Sequence, residues 1–304
     1  MKRTALLPGL ALGLLLVAPP AAATDHELPL GEGVLVVSLD ADVERGAGEA
    51  EVLAWIAAEG AAVATWFGGF PLARANVYVR DGSGRSAFAG GRAFEGSPPY
   101  IQGTLGRSAT GADLRRDWVL PHEISHLHFP NLAERHGWME EGMATYVEPW
   151  ARLQGGRLGR EKAWADLVEG LPKGLPRAGD RGLDRTPTWG RTYWGGALFW
   201  FLADLEILRR TEGKAGLQEA MRGIVAAGGD IRSDWTVARV IEAGDAATGV
   251  PVLAELYEAM RASPHPVDLD ALWARLGVRY EAGVVSFDES APEAWLVAAI
   301  ERVR

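Results

Sequence analysis

Residues 119–130 read VLPHEISHLHFP, and the fold turns on how they are read. Three histidines fall within seven residues: His122, His126 and His128. Glu123 follows the first directly and Pro121 precedes it. His122-Glu123-Ile124-Ser125-His126 fits H-E-x-x-H. Residues four apart on an α-helix share a face, so both imidazoles can meet one ion at roughly 2.0–2.1 Å. Glu123 then sits where a carboxylate can take a proton from water without itself ligating. His128 lies about 200° around the helix from His126. It therefore points away from the ion and reads as a packing or hydrogen-bonding residue. Pro121 does no harm if the helix starts there, and it would kink a helix begun near Asp113.

A zinc site needs a third protein ligand. A metzincin would have a histidine at position 132, which is Leu132. Glu134 and His136 have suitable chemistry but fall in the turn after the helix. The better source is GWMEEGMATYVEP, residues 137–149. Trp138 to Ala144 resembles the third-ligand helix of the gluzincin aminopeptidases, with its W-x-x-E-G-x-A core. The resemblance implies Glu141 as zinc ligand, with Glu140 standing where the family often has asparagine. Glu148 lies two turns after Glu141 on the same face, where it could orient a ligating histidine. Fourteen residues separate His126 from Glu141, fewer than in typical aminopeptidases, so the connecting turn must be tight.

Thr192-Tyr193-Trp194-Gly195-Gly196-Ala197-Leu198 resembles the family's T-Y-x-K-G-A-L. That resemblance implies Tyr193 as the phenol that steadies the oxyanion, with the family's lysine replaced by Gly195. Further matches run through residues 202–211 and 217–223 and the late stretch 272–277, in an order similar to the PDZ-carrying glycyl aminopeptidases. The likeness covers residues 115–280. No stretch reads as the N-terminal β-domain or the PDZ domain of those relatives. Their amine-binding acidic motif has only an imperfect counterpart in Gly90-Gly91-Arg92-Ala93-Phe94-Glu95, which makes Glu95 a candidate substrate-binding residue.

The rest of the chain fits this reading. Lys2 and Arg3, an apolar run from Ala5 to Val17, then Pro19-Pro20 and three alanines form an export signal with cleavage expected near Ala23. The apolar run is shorter than the ~20 residues a membrane span needs. No stable membrane insertion is therefore expected after cleavage. Removing Lys2 and Arg3 from 31 basic residues leaves 29 against 40 acidic, a net charge of −11. That surface argues against nucleic acid as a partner. There are no cysteines, so disulfides, lipidation and any Cys-based metal or redox site are excluded. A periplasmic or secreted protein is expected.

Residues 34–40, 75–80 and 100–105 read as strands, 47–66 as a helix and 81–98 as a loop. From residue 111 the pattern is helical almost to the end. Residues 153–192 read as a long loop with one helix near 160–170. The expected class is α+β, a thermolysin-like zincin. It has a signal peptide at 1–23, a small α/β lobe carrying the zinc-binding helices at 24–150, and a helical lobe of the same catalytic unit at 151–304. The expected activity is hydrolysis of peptide bonds, exo or endo, with one Zn²⁺ per chain and a peptide or protein substrate. A zincin-like protein that binds without cutting, and a zinc hydrolase of another bond, are the two alternatives. The sequence carries no sign of oligomeric state.

Overall fold

Strands β1 (Ala23–Leu30) and β2 (Gly33–Asp40) pair as an antiparallel hairpin. The computed structural model of the chain describes residues 23–40 and 45–303; all but the last residue of the export signal expected at 1–23 lies outside the described residues. In β2, Leu35, Val37 and Leu39 alternate toward the main core, as a period-two pattern requires. Helix α1 (Glu49–Trp66) crosses over to β3 (Arg74–Gly82), which lies parallel to β2. Strand β4 (Ala89–Phe94) and strand β5 (Tyr100–Gly106) complete a sheet of order β1-β2-β3-β5-β4. Strand β4 thus occupies an edge, antiparallel to β5.

This edge strand corrects the reading of 81–98 as a loop. AGGRAF contains no β-branched residue, so its own propensity for a strand is low. Pairing with β5 imposes the strand, and the register shifts between Ala89 and Arg92, where Gly90 takes a φ of +63°. A Cβ at Gly91 would meet Val119 Cγ1 at 2.5 Å, so glycine lets the strand pass close to the following helices.

Those helices are α2 (Gly111–Arg116) and α3 (Val119–His126), separated by a break at Asp117 and Trp118. The break decides the question Pro121 raised. Proline falls in the first turn of α3, where backbone N–H groups have no helical partner in any case. Asp117 accepts the Leu120 N–H at 2.9 Å and caps the new helix. Helix α4 (Gly137–Gln154) follows a tight turn, then α5 (Arg160–Gly170), in the span expected. A π-helical stretch, Gly190–Gly195, leads into α6 (Gly196–Arg210). Helices α7 (Leu217–Ala226), α8 (Val237–Thr248), α9 (Val252–Met260) and α10 (Leu269–Leu276) come next. A hairpin of β6 (Val278–Glu281) and β7 (Val284–Phe287) precedes the last helix, α11 (Ala294–Glu301). Its turn places both Ala282 and Gly283 at positive φ, a signal the alternating residues 278–287 carried and the sequence reading passed over.

Helix α1 is buried on most sides because it lies between the sheet and α4. One hydrophobic core runs from Leu30 through α1, α3, α4 and α6 to Ile300. Helix α4 spans the boundary expected at residue 150 and packs on both α1 and α6, so the two lobes share it. Among the described residues, no helix is long and apolar enough to cross a membrane.

His128 lies in this core as a wedge. Its ring stacks 4.5 Å from Phe67 and meets Phe70 edge-on, while Nδ1 donates to the Ile124 carbonyl at 3.0 Å. Burial pushes its pKa from 6.5 down to about 4, so the folded protein holds it neutral. As pH falls, the unfolded chain takes up this proton first. The stability His128 contributes is complete above about pH 6.5 and is lost as pH falls toward 4, roughly 3 kcal/mol at most. Urea unfolding of His128→Phe should therefore show a shallower loss over that window than the wild type; equal slopes would refute the assignment.

Candidate active site

Helix α3 presents His122 and His126 on one face, and the tight turn brings α4 back so that Glu141 meets them. His122 Nε2 and Glu141 Oε2 are 3.1 Å apart, His126 Nε2 and Glu141 Oε2 3.5 Å, and the two Nε2 atoms 3.3 Å. A tetrahedral ion with ligands at roughly 2.0–2.1 Å sets those ligand atoms about 3.3–3.4 Å apart. The three side chains therefore already stand on the edges of such a tetrahedron, and their donor set of two imidazoles and one carboxylate suits zinc. The register chosen between the two glutamates matches this geometry. Glu141 joins the histidines, whereas Glu140 turns its Oε1 to the Leu132 N–H at 3.1 Å.

Two glycines make the approach possible. A Cβ on Gly142 would sit 2.3 Å from the Gly196 backbone, and one on Gly196 would sit 2.0 Å from the Trp138 carbonyl. Only glycine at both positions lets α4 lie directly on the start of α6. That contact carries the π-helical stretch, and with it Tyr193, to the metal face. The Tyr193 ring stacks on His122 at 6.2 Å. Burial, then the charges of Glu141 and Glu123, raise its phenol to about 12, which keeps the O–H proton in place as a donor.

Glu123 is nearly buried, and its Oε2 accepts the Ala93 N–H of β4 at 2.8 Å. The edge strand thus orients the carboxylate and leaves its other oxygen free. A cavity of about 510 Å³ opens over these groups, lined also by Arg92, Phe129, Asn131, Glu140 and Ile231. Burial, opposed by the charge of His126 and the Leu132 N–H, raises Glu140 to about 7. Burial would raise Glu141 as well, but hydrogen bonds from both histidines hold it below the usual carboxylate range. His126 responds the other way: against the cost of burial, Glu141 lifts it to about 9.

The expectation for Glu148 is corrected. Its Oε1 accepts from Arg152 Nη1 at 2.7 Å, one turn along α4, and His122 Nδ1 is buried with no hydrogen-bond partner among the described residues. Arg152 also faces the fully buried Glu59 at 3.5 Å, so Glu148 belongs to a charge cluster behind the site. Glu95 is exposed and does not line the cavity; its Oε2 accepts at 3.2 Å from Nδ2 of Asn131, which does. His136 is buried away from the histidine pair. Asp184 accepts from its Nδ1 at 2.9 Å, from Trp138 Nε1 at 2.8 Å and from the Tyr257 hydroxyl at 3.1 Å, and so pins the start of α4. Asp184, and the places of Ala93, Arg92 and Asn131 at the site, were not found from sequence. Asp184 stands in a stretch rich in Gly, Pro and Arg, and Ala93 acts through its backbone.

No family sequence model and no curated protein sequence matches the chain. Solved structures do. An aminopeptidase N family protein from Idiomarina loihiensis superposes with a TM-score of 0.65 at 15% identity, over 84% of this chain and 49% of that one. A mutant M1 zinc metallopeptidase from Deinococcus radiodurans, bound to a Tyr-ser-ala substrate, gives 0.53 at 17% identity, over 81% and 53%. The chain has the fold of the M1 zinc metallopeptidases. It spans about half the length of these M1 structures. The resemblance drawn from residues 122–148 and 192–198 thus holds at the level of the fold. The M1 likeness gives a mixed architecture, an N-terminal sheet followed by a helical bulk, as expected for an α+β chain.

Metal ions bind neutral imidazole, so filling the site at pH 7 should release about one proton from His126. Zinc titration calorimetry in buffers of different ionisation enthalpy measures this. The release should fade above about pH 9, and no buffer dependence at pH 7 would contradict the coupling of His126 to Glu141.

Proposed function

We propose that the chain hydrolyses peptide bonds, with one zinc ion held by His122, His126 and Glu141 in a thermolysin-like arrangement. The observation that carries this reading is the tetrahedral spacing of the three ligand atoms, with Glu123 beside them and fixed by Ala93. When bound, zinc supplies Lewis acidity and lowers the pKa of water at its open position.

The chain's own groups do the rest. Glu123 takes a proton from the attacking water as its oxygen bonds to the scissile carbonyl carbon. The same carboxyl then delivers the proton to the amide nitrogen as the C–N bond breaks. Tyr193, held protonated, donates a hydrogen bond to the oxygen that gains negative charge in the transition state. Apart from the Ala93 N–H, which is given to Glu123, the outer edge of β4 has no neighbouring strand and can take an extended peptide as an added strand. Glu95 stands at the mouth of that track as a candidate contact for the substrate. Export to the periplasm or outside the cell, with cleavage near Ala23, is part of the same proposal and rests on the composition of residues 1–23.

Glu123→Gln should lose about 10²–10⁴-fold in kcat while binding zinc as the wild type does, because only the proton carrier is removed. Peptide turnover and metal content measured on one preparation test this, and full activity in the variant would end the proposal. Tyr193→Phe should lower kcat about 10²–10³-fold with little change in KM, since its hydrogen bond forms only in the transition state. Steady-state kinetics on a peptide found by mass-spectrometric mapping of cut sites would show the opposite split if Tyr193 merely helped substrate to bind.

A further inference from the structure

We propose that Trp118 and Trp189 form an aromatic subsite for a bulky apolar side chain on the leaving-group side of the scissile bond. The inference rests on the peptidase reading above and deepens it. Eight of the twelve tryptophans are buried, yet Trp118 is 55% and Trp189 is 63% exposed. Both touch the site's own rings. Trp118 meets His122 edge-on at 5.8 Å, and Trp189 lies 6.0 Å from Tyr193, which in turn stacks on His122. The two exposed indoles therefore bracket a ligating imidazole and the oxyanion donor. An aromatic side chain that buries 150–250 Å² gains most where such faces stand open to water, and exposed tryptophans are the usual anchors of recognition surfaces.

The groove's polarity assigns the side. Three contacts set β4 in register with α3 and the turn after it. Gly91 abuts Val119, Ala93 N–H bonds Glu123, and Glu95 bonds Asn131. Strand and helix thus run the same way past the metal ligands. Trp118 stands at the Gly91 end; Asn131 and Glu140 stand at the Glu95 end. The Glu95 end is rich in acceptors. Asn131 Nδ2 is tied to Ile231 O at 2.7 Å and to Glu95, which leaves its Oδ1 as an acceptor, and Glu140 adds a carboxylate whose Oε1 accepts the Leu132 N–H. Such an end favours the amino-terminal part of a peptide and repels a terminal carboxylate. A peptide laid antiparallel to β4 meets that condition, and its residues after the scissile bond then reach Trp118. Trp189 reaches the site through Tyr193, which stacks on the same His122 ring that Trp118 meets.

The test compares zinc-loaded wild type with Trp118→Ala, Trp189→Ala and the two Trp→Phe variants. The substrates are peptide pairs that differ only in Phe or Ala directly after the cleaved bond, with cut sites confirmed by mass spectrometry. Wild type should prefer Phe by at least about tenfold in kcat/KM, the scale of an apolar pocket's discrimination. Each alanine variant should lose most of that ratio, and the phenylalanine variants should keep it. Because the ratio is taken within one variant, weaker metal binding in Trp118→Ala cancels. An unchanged ratio in both alanine variants, or a preference confined to the residue before the cleaved bond, overturns the proposal. If wild type cuts no peptide, the peptidase reading fails. The subsite is then read from calorimetric binding of the same pairs to Glu123→Gln. A Phe preference that disappears in Glu123→Gln carrying Trp189→Ala supports it, and one that persists, or is absent from the start, overturns it.

Discussion

The backbone contact between Gly142 and Gly196 is the constraint on which the site depends. Glu141 and Tyr193 lie on different elements, fifty-two positions apart, and each must reach the same face of α3. A side chain at either glycine would push α4 off the start of α6 by more than an ångström. The ligand spacings of 3.1–3.5 Å could not survive such a shift. The Asp184 hub acts in the same sense, because its three donors come from the turn before α4, from α4 itself and from α9. Together these contacts hold the donor set preorganised, so an arriving ion has little ordering entropy to overcome.

Behind the site lies a second polar system with a different task. Glu59 has no solvent exposure and faces Arg152 and Arg157, and Arg152 also binds Glu148 and the Arg115 carbonyl. Burial raises Glu59, Asp117 and Glu148 against the pull of these arginines, which marks the cost of enclosing the charges. Removing one partner from such a group typically costs about 3–5 kcal/mol, although the intact cluster adds little net stability. The cluster ties α1 to the far half of α4. It therefore aligns the helix that carries Glu141 without touching the histidines.

Much of this architecture was legible in the chain. The period-two runs at 34–40, 75–80 and 100–105 became strands, and α5 fell in the span its apolar spacing indicated. The histidine pair could be named because helical spacing is fixed by covalent geometry, and Glu141 because residues 138–144 resemble the third-ligand helix of the gluzincin aminopeptidases. What escaped was built by partners rather than by propensity. Strand β4 lacks every strand-forming residue type except one aromatic and exists because β5 offers it a ladder. Glu148 kept the spacing of an orienting carboxylate, yet an arginine four residues on claimed it, a competition that spacing cannot reveal.

The sequence by itself determined the donor types and their order on the helices: two imidazoles one turn apart, a glutamate beside the first, a carboxylate on the helix that follows, and glycines where helices touch. Those follow from helical periodicity and from the size of each side chain, which no folding event alters. Tertiary structure alone decided which oxygen meets the histidines, that Ala93's backbone fixes Glu123, that Tyr193 stacks on His122, and that two indoles stay open beside them. Each of these joins segments that lie at least thirty positions apart in the chain or depends on which neighbour reaches a group first, and only the folded packing ranks those contacts.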